Sequence, residues 1–76
     1  MTKLVIPTPE NAGSERPTLF LPDGNSWEFH CGEAIEILVG GKWKKFRWEF
    51  SDERGWYLLN QEMAFIPLCV KARLPR

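Results

Sequence analysis

The sequence predicts a small all-β domain, a closed or half-open barrel of five or six short antiparallel strands. Three observations carry this expectation. Apolar and polar side chains alternate in several short runs, the pattern of a strand with one buried face. Turn residues separate those runs at intervals of roughly 8–12 residues. No segment keeps a helical apolar spacing for as long as about ten residues.

The chain has 76 residues, enough for one core, because a second could not bury the surface needed to offset its own ordering entropy. At about 1.5 kcal/mol of conformational entropy per ordered residue, nearly every large side chain must contribute, so a ligand is expected to bind on the outside. Aromatic residues make up 13% of the chain, with four Trp, and they bury the most area per position while favouring strands. Ten basic and ten acidic residues cancel, which removes the whole-domain basic field that would gather phosphate and leaves only a local patch.

Residues 1–17 read as a flexible lead-in, since Pro7, Pro9 and Pro17 with Asn11, Gly13 and Ser14 break both helix and strand. Leu4-Val5-Ile6 is the exception, a candidate edge strand at 4–6 given somewhere to dock. The single domain then runs over 18–76. Thr18-Leu19-Phe20-Leu21 leads into the turn set Pro22-Asp23-Gly24-Asn25. Next, Ser26 to Cys31 alternates, with Trp27, Phe29 and Cys31 expected on the buried side.

Glu33 to Val39 alternates again and sets Ile35, Ile37 and Val39 on one face. Gly40-Gly41 follows, a strong two-residue hairpin signal because a type I′ turn needs positive φ at both positions. The strand after it sends Phe46, Trp48 and Phe50 one way and Lys45, Arg47 and Glu49 the other, with Trp43 on the charged face by parity. Ser51 to Gly55 makes a second hairpin loop into Trp56-Tyr57-Leu58-Leu59. A last strand, interrupted by Pro67, leads to the basic tail with Lys71 and Arg73. The core expected from this reading is Leu19, Leu21, Trp27, Phe29, Ile35, Ile37, Phe46, Trp48, Phe50, Leu58, Ile66 and Val70.

Catalysis finds little support. The single histidine, His30, stands beside Cys31, and strand alternation sends neighbouring side chains to opposite faces, so the two do not make a nucleophile and base pair. Glu33 and Glu36, three apart on an alternating strand, likewise face apart. No Cys-x-x-Cys or His-x-x-x-His spacing marks a zinc site, and no glycine-rich phosphate loop is present. The expectation is a non-enzymatic domain with no catalytic residue, no metal and no cofactor. Cys31 and Cys69 can form one bridge, but without a signal peptide they read more simply as reduced, buried, small apolar residues. The N-terminus has neither a secretory leader nor an anchor, so a cytoplasmic setting without membrane contact is the default.

The outer face of the Gly-Gly hairpin remains. Trp43, Lys45 and Arg47 share it by parity, and Tyr57 on the following strand lies beside them if the register permits. The expectation is a binding or adaptor module whose aromatic faces beside cations form a groove for a protein or peptide partner. The alternative is a surface for single-stranded nucleic acid or RNA on the same patch, with Lys71 and Arg73 as secondary basic residues. The bland alternative is a solvated strand face with weak ion pairs and a Trp covering the end of the core. Self-association through an edge strand or exposed aromatics is a third possibility, for a monomer or weak homo-oligomer.

His30-Cys31-Gly32-Glu33, Gly41-Lys42-Trp43, Arg47-Trp48-Glu49 and Gly55-Trp56-Tyr57-Leu58 together resemble an uncharacterised family of short bacterial and mobile-element proteins. That family carries a His-Cys-Gly-acid, Gly-x-Trp, Arg-x-Glu, Trp-Tyr-Leu series. The resemblance covers about residues 18–73 and implies a domain rather than an activity. More loosely, the strand order is similar to SH3-like barrels of the Tudor and KOW type, which host partner binding of several kinds.

Overall fold

The computed structural model describes residues 2–75. It is all-β, with two antiparallel sheets of three and five strands and, among the described residues, no α-helix. Strands are β1 (Lys3–Val5), β2 (Thr18–Phe20), β3 (Ser26–Glu28), β4 (Ala34–Val39), β5 (Lys42–Ser51), β6 (Gly55–Leu59), β7 (Ala64–Phe65) and β8 (Ala72–Arg73). The small sheet has the order β1-β2-β3 and the large one β7-β6-β5-β4-β8. Among the described residues the strands number eight, because short edge pairs flank the long hairpins, and their pairing gives two open sheets.

Each hairpin follows from its turn chemistry. Gly40 and Gly41 have φ of 58° and 80°, the conformation a type I′ turn demands, and the turn sets Val39 opposite Lys42. In the Pro22–Asn25 turn, the Asn25 N–H donates to Asp23 Oδ1 at 2.9 Å, an Asx turn that lets Leu21 N–H reach the Asn25 carbonyl at 2.8 Å. The β4–β5 ladder continues past β4: Trp48 N–H donates to the Glu33 carbonyl and Gly32 N–H to the Trp48 carbonyl.

The core lies under the large sheet. Ile35 and Ile37 of β4, Phe46 and Trp48 of β5 and Leu58 of β6 are fully buried, joined by Leu19 and Phe29 from the small sheet and its exit. Edge and tilted ring contacts knit them: Phe29 stands 5.5 Å from Trp48, Phe46 5.1 Å from Phe65, and Trp48 6.3 Å from Trp56. Such pairs add to area burial because ring edges are positive and faces negative. Trp48 Nε1 is buried without a hydrogen-bond partner among the described residues, and its ring packs against those of Phe29 and Trp56.

Several expected core residues are placed elsewhere. Trp27, Phe50 and Ile66 are exposed, and Leu21 and Val70 are only partly buried. Trp27 shares a face with Leu19, its register partner, but β3 is the edge of the small sheet, where no further strand covers it. Phe50 has inward parity, yet it lies near the end of a ten-residue strand that outruns the core. Ile66 follows the two-residue β7, where alternation has ended. Trp56, not assigned to the core from sequence, is 7% exposed. Cys31 and Cys69 are both free, and both are exposed rather than buried: Cys31 falls in the turn after β3, and Cys69 adopts a left-handed φ of 55° in an irregular segment.

The first seventeen residues contain β1, paired with β2 from Lys3↔Phe20 to Val5↔Thr18, and a 3-10 turn at Pro9–Asn11. At that turn the Thr8 hydroxyl, and then the backbone at Glu10 itself, hold the Glu10 carboxyl below the usual carboxylate range. Trp56 clasps the segment, its indole N–H shared between the carbonyls of Ala12 at 3.1 Å and Glu15 at 3.2 Å, while Ala12 is buried. Among the described residues, no helix is long and apolar enough to cross a membrane.

Candidate functional site

Register decides which side chains share the outer face of the large sheet. Leu38 lies opposite Trp43, Glu36 opposite Lys45 and Ala34 opposite Arg47. On the other side of β5, Arg47 lies opposite Leu59 and Glu49 opposite Tyr57, and β8 brings Arg73 opposite Glu36. Cross-strand partners point to the same side of a sheet. Trp43, Lys45, Arg47 and Tyr57 therefore stand together on one face, with Tyr57 diagonal to Arg47. Leu38 N–H donates to the Lys71 carbonyl at 2.9 Å, so the β8 pairing extends to Lys71, which by parity joins the same face.

The face is structured by ion pairs. Arg73 Nε donates to Glu36 Oε1 at 2.7 Å, and the same guanidinium lies 4.1 Å from the centroid of the Trp43 ring. Arg47 pairs with Glu49, two residues along its own strand, and the Cys31 thiol donates to the same carboxylate at 3.5 Å. The guanidinium of Arg54 approaches the Tyr57 ring at 6.0 Å. Lys45 and Lys71 have no carboxylate partner among the described residues and are exposed. Trp43 remains 37% exposed, a ring braced on one side by a cation and open to solvent elsewhere.

The four residues expected from sequence are thus brought together, with Lys71 and Arg73 adjoining them. The roles of Glu36 and Glu49 escaped the sequence reading: Glu36 meets Arg73 across 37 positions of chain, a pairing no local pattern announces. Trp56 was accessible to parity, since it shares its face with Leu58 on β6.

His30 forms a local turn with Glu33, whose Oε1 accepts from the His30 backbone N–H and lies 3.2 Å from His30 Nδ1. Gly32 takes the positive φ of 91° that this turn needs. The ring is thereby engaged with a carboxylate in a capping arrangement. Among the described residues, no group of three His, Cys, Asp or Glu side chains is gathered closely enough to hold a metal ion.

Charge is divided between the two parts of the chain. Through Glu33, which takes in the small sheet, two basic residues face five acidic ones; from Ala34 onward, eight basic residues face five acidic ones. The neutral total hides a net −3 in the first part and a net +3 in the second.

No curated protein and no solved structure matches the chain. A family model does match, over residues 10–69. That span takes in β2 to β7, with the segment clasped by Trp56 and the whole β4–β5 hairpin, and leaves β1 and β8 outside it, so the chain belongs to the family described as a domain of unknown function, DUF5348.

Proposed function

We propose that this chain is a non-enzymatic binding module that takes an extended segment of a protein partner across the outer face of the large sheet, through Trp43, Lys45, Arg47 and Tyr57. The observation that carries the reading is the commitment of two of the face's three guanidinium groups. Arg47 is paired with Glu49 and Arg73 with Glu36, which leaves Lys45, Lys71 and, beside Tyr57, Arg54 as the available cations. A nucleic-acid backbone offers a charge at every residue and is held by a series of free cations. A peptide needs few charges and an apolar anchor, and Trp43 with Leu38, Leu59 and Tyr57 supplies one. The favoured ligand is a segment that combines carboxylates with aromatic or aliphatic side chains.

Single-stranded nucleic acid on the same patch is the second reading, favoured by the open Trp43 ring beside cations. A strand held by Lys45, Lys71 and Arg54 would neutralise about three phosphates and show a log-log salt slope of about −2.1. Exposed, unpaired thiols at Cys31 and Cys69 favour a reducing, cytoplasmic setting.

The test is a heteronuclear NMR titration of the full chain with two probes, a peptide alternating Glu and Tyr and an oligothymidylate of similar length. The expected result is a shift of the Trp43 indole and of the Lys45, Arg47 and Tyr57 amides with the peptide, exceeding that with the oligonucleotide. Tighter oligonucleotide binding with a slope steeper than about −3 would transfer the face to nucleic acid.

A further inference from the structure

The two sheets meet at a second surface that the outer face does not include. An open groove of about 1040 Å³ runs between the outer side of the small sheet and the ends of β5 and β6. Val5 and Phe20 form one apolar wall, and Phe50 and Trp56 the other. Val5, Phe20 and Phe50 are 41%, 45% and 36% exposed, so three large apolar side chains are open to solvent along one concavity. Exposed apolar surface gathered in a groove marks a contact site more often than the same residues scattered singly.

Its charges give the occupant. Glu15 and Glu28 line the groove with Arg16 and His30, and neither carboxylate has an ion-pair partner among the described residues. With His30 neutral, two carboxylates against the one guanidinium of Arg16 give the lining itself a net −1. The wall formed by 11–16 is also held in place, because Trp56 Nε1 donates to the carbonyls of Ala12 and Glu15. A preformed wall lowers the ordering cost of binding. The geometry points to this groove as a docking site for a basic, apolar-anchored peptide segment of a partner protein, with its cations met by Glu15 and Glu28 and its apolar side chains against Phe20 and Phe50.

The groove and the outer face of the large sheet are then opposite in sign. The outer face selects a segment with carboxylates, and the groove selects one with ammonium or guanidinium groups. A module with two such surfaces joins two partners. The groove stands independently of the outer-face reading, since none of Trp43, Lys45, Arg47 and Tyr57 lines it.

The test uses the full isotope-labelled chain, a peptide alternating Lys and Leu, and its counterpart with Glu for Lys. The Lys-Leu peptide should shift the amides of Phe20, Glu28 and Phe50 and leave Trp43 and Lys45 in place. The E15Q/E28Q variant should weaken it about threefold, the scale of exposed charge pairs. F20A, an exposed position whose change leaves the core intact, should weaken it as well. Equal response to both peptides, no shift at about 1 mM peptide, or shifts confined to Trp43 and Lys45 would overturn the assignment. So would sedimentation showing that the chain fills its own groove, as a concentration-dependent oligomer whose dissociation moves the Phe20 and Phe50 resonances. Failure here with an intact response of Trp43 to the Glu-Tyr peptide would remove the groove and leave the outer face standing.

Discussion

The Arg73 guanidinium lies over the Trp43 ring, 4.1 Å from its centroid, while its Nε donates to Glu36 at 2.7 Å. One side chain on the edge strand β8 thus positions the most exposed aromatic of the outer face and closes the sheet edge beside it. A double-mutant cycle on Trp43 and Arg73, read by urea denaturation, should return a coupling of about 0.5–1 kcal/mol, the range of partly exposed cation–π pairs. A coupling near zero would mean that the two rest against each other without energetic consequence.

Trp56 carries a different load. Its ring packs against Trp48 and Phe50, and its N–H is divided between two carbonyls of the lead-in. Trp56→Phe keeps much of the packing and removes the donor, so it should cost about 1–3 kcal/mol. Hydrogen exchange should localise the loss: protection around residues 10–18 falls while that of β4 and β5 persists. Uniform loss across both sheets would show that the indole acts through core volume alone.

The Gly40-Gly41 turn makes a local prediction. Open space surrounds both α-carbons, so a side chain meets no obstacle there, and only the left-handed φ opposes substitution. Gly40→Asn should be nearly neutral, because Asn tolerates the conformation at φ 58°. Gly41→Val should destabilise by more than about 1 kcal/mol, since a β-branched residue at φ 80° is strained. Thermal unfolding of the two variants decides it, and equal melting temperatures would contradict the turn assignment.

Cys31 and Cys69 are both exposed and free. Under native conditions both should react with an aromatic disulfide reagent without prior denaturation, giving two modified thiols per chain. A thiol that reacts only after unfolding would return that cysteine to the interior.

Much of this architecture could be read along the chain because β4 and β5 are long enough for alternation to speak unambiguously. Ile35, Ile37, Phe46 and Trp48 are buried and Lys45 and Arg47 are exposed, as a period of two requires. Parity, however, states only which side a residue takes, and says nothing of whether a second layer covers that side. Trp27 and Phe50 have the parity of core residues and still face solvent, one at an uncovered sheet edge and the other beyond the reach of the core. Phe29, one residue past β3, keeps that parity and is fully buried, with its N–H donating to the Pro17 carbonyl at 2.9 Å. The expected outer-face residues were legible for the same reason as the strands. The groove was not, since its walls come from segments that meet only when the lead-in folds back over Trp56.

We propose that the outer face of the large sheet receives a protein segment through an aromatic ring with a free ammonium beside it. Calorimetric titration of the Glu-Tyr peptide into the native chain and into W43A/K45E, matched for stability by circular dichroism, tests it most directly. Affinity should fall at least about tenfold in the variant, roughly 1.4 kcal/mol, with the fold unchanged. Equal affinity for the two proteins would place the partner elsewhere on the molecule.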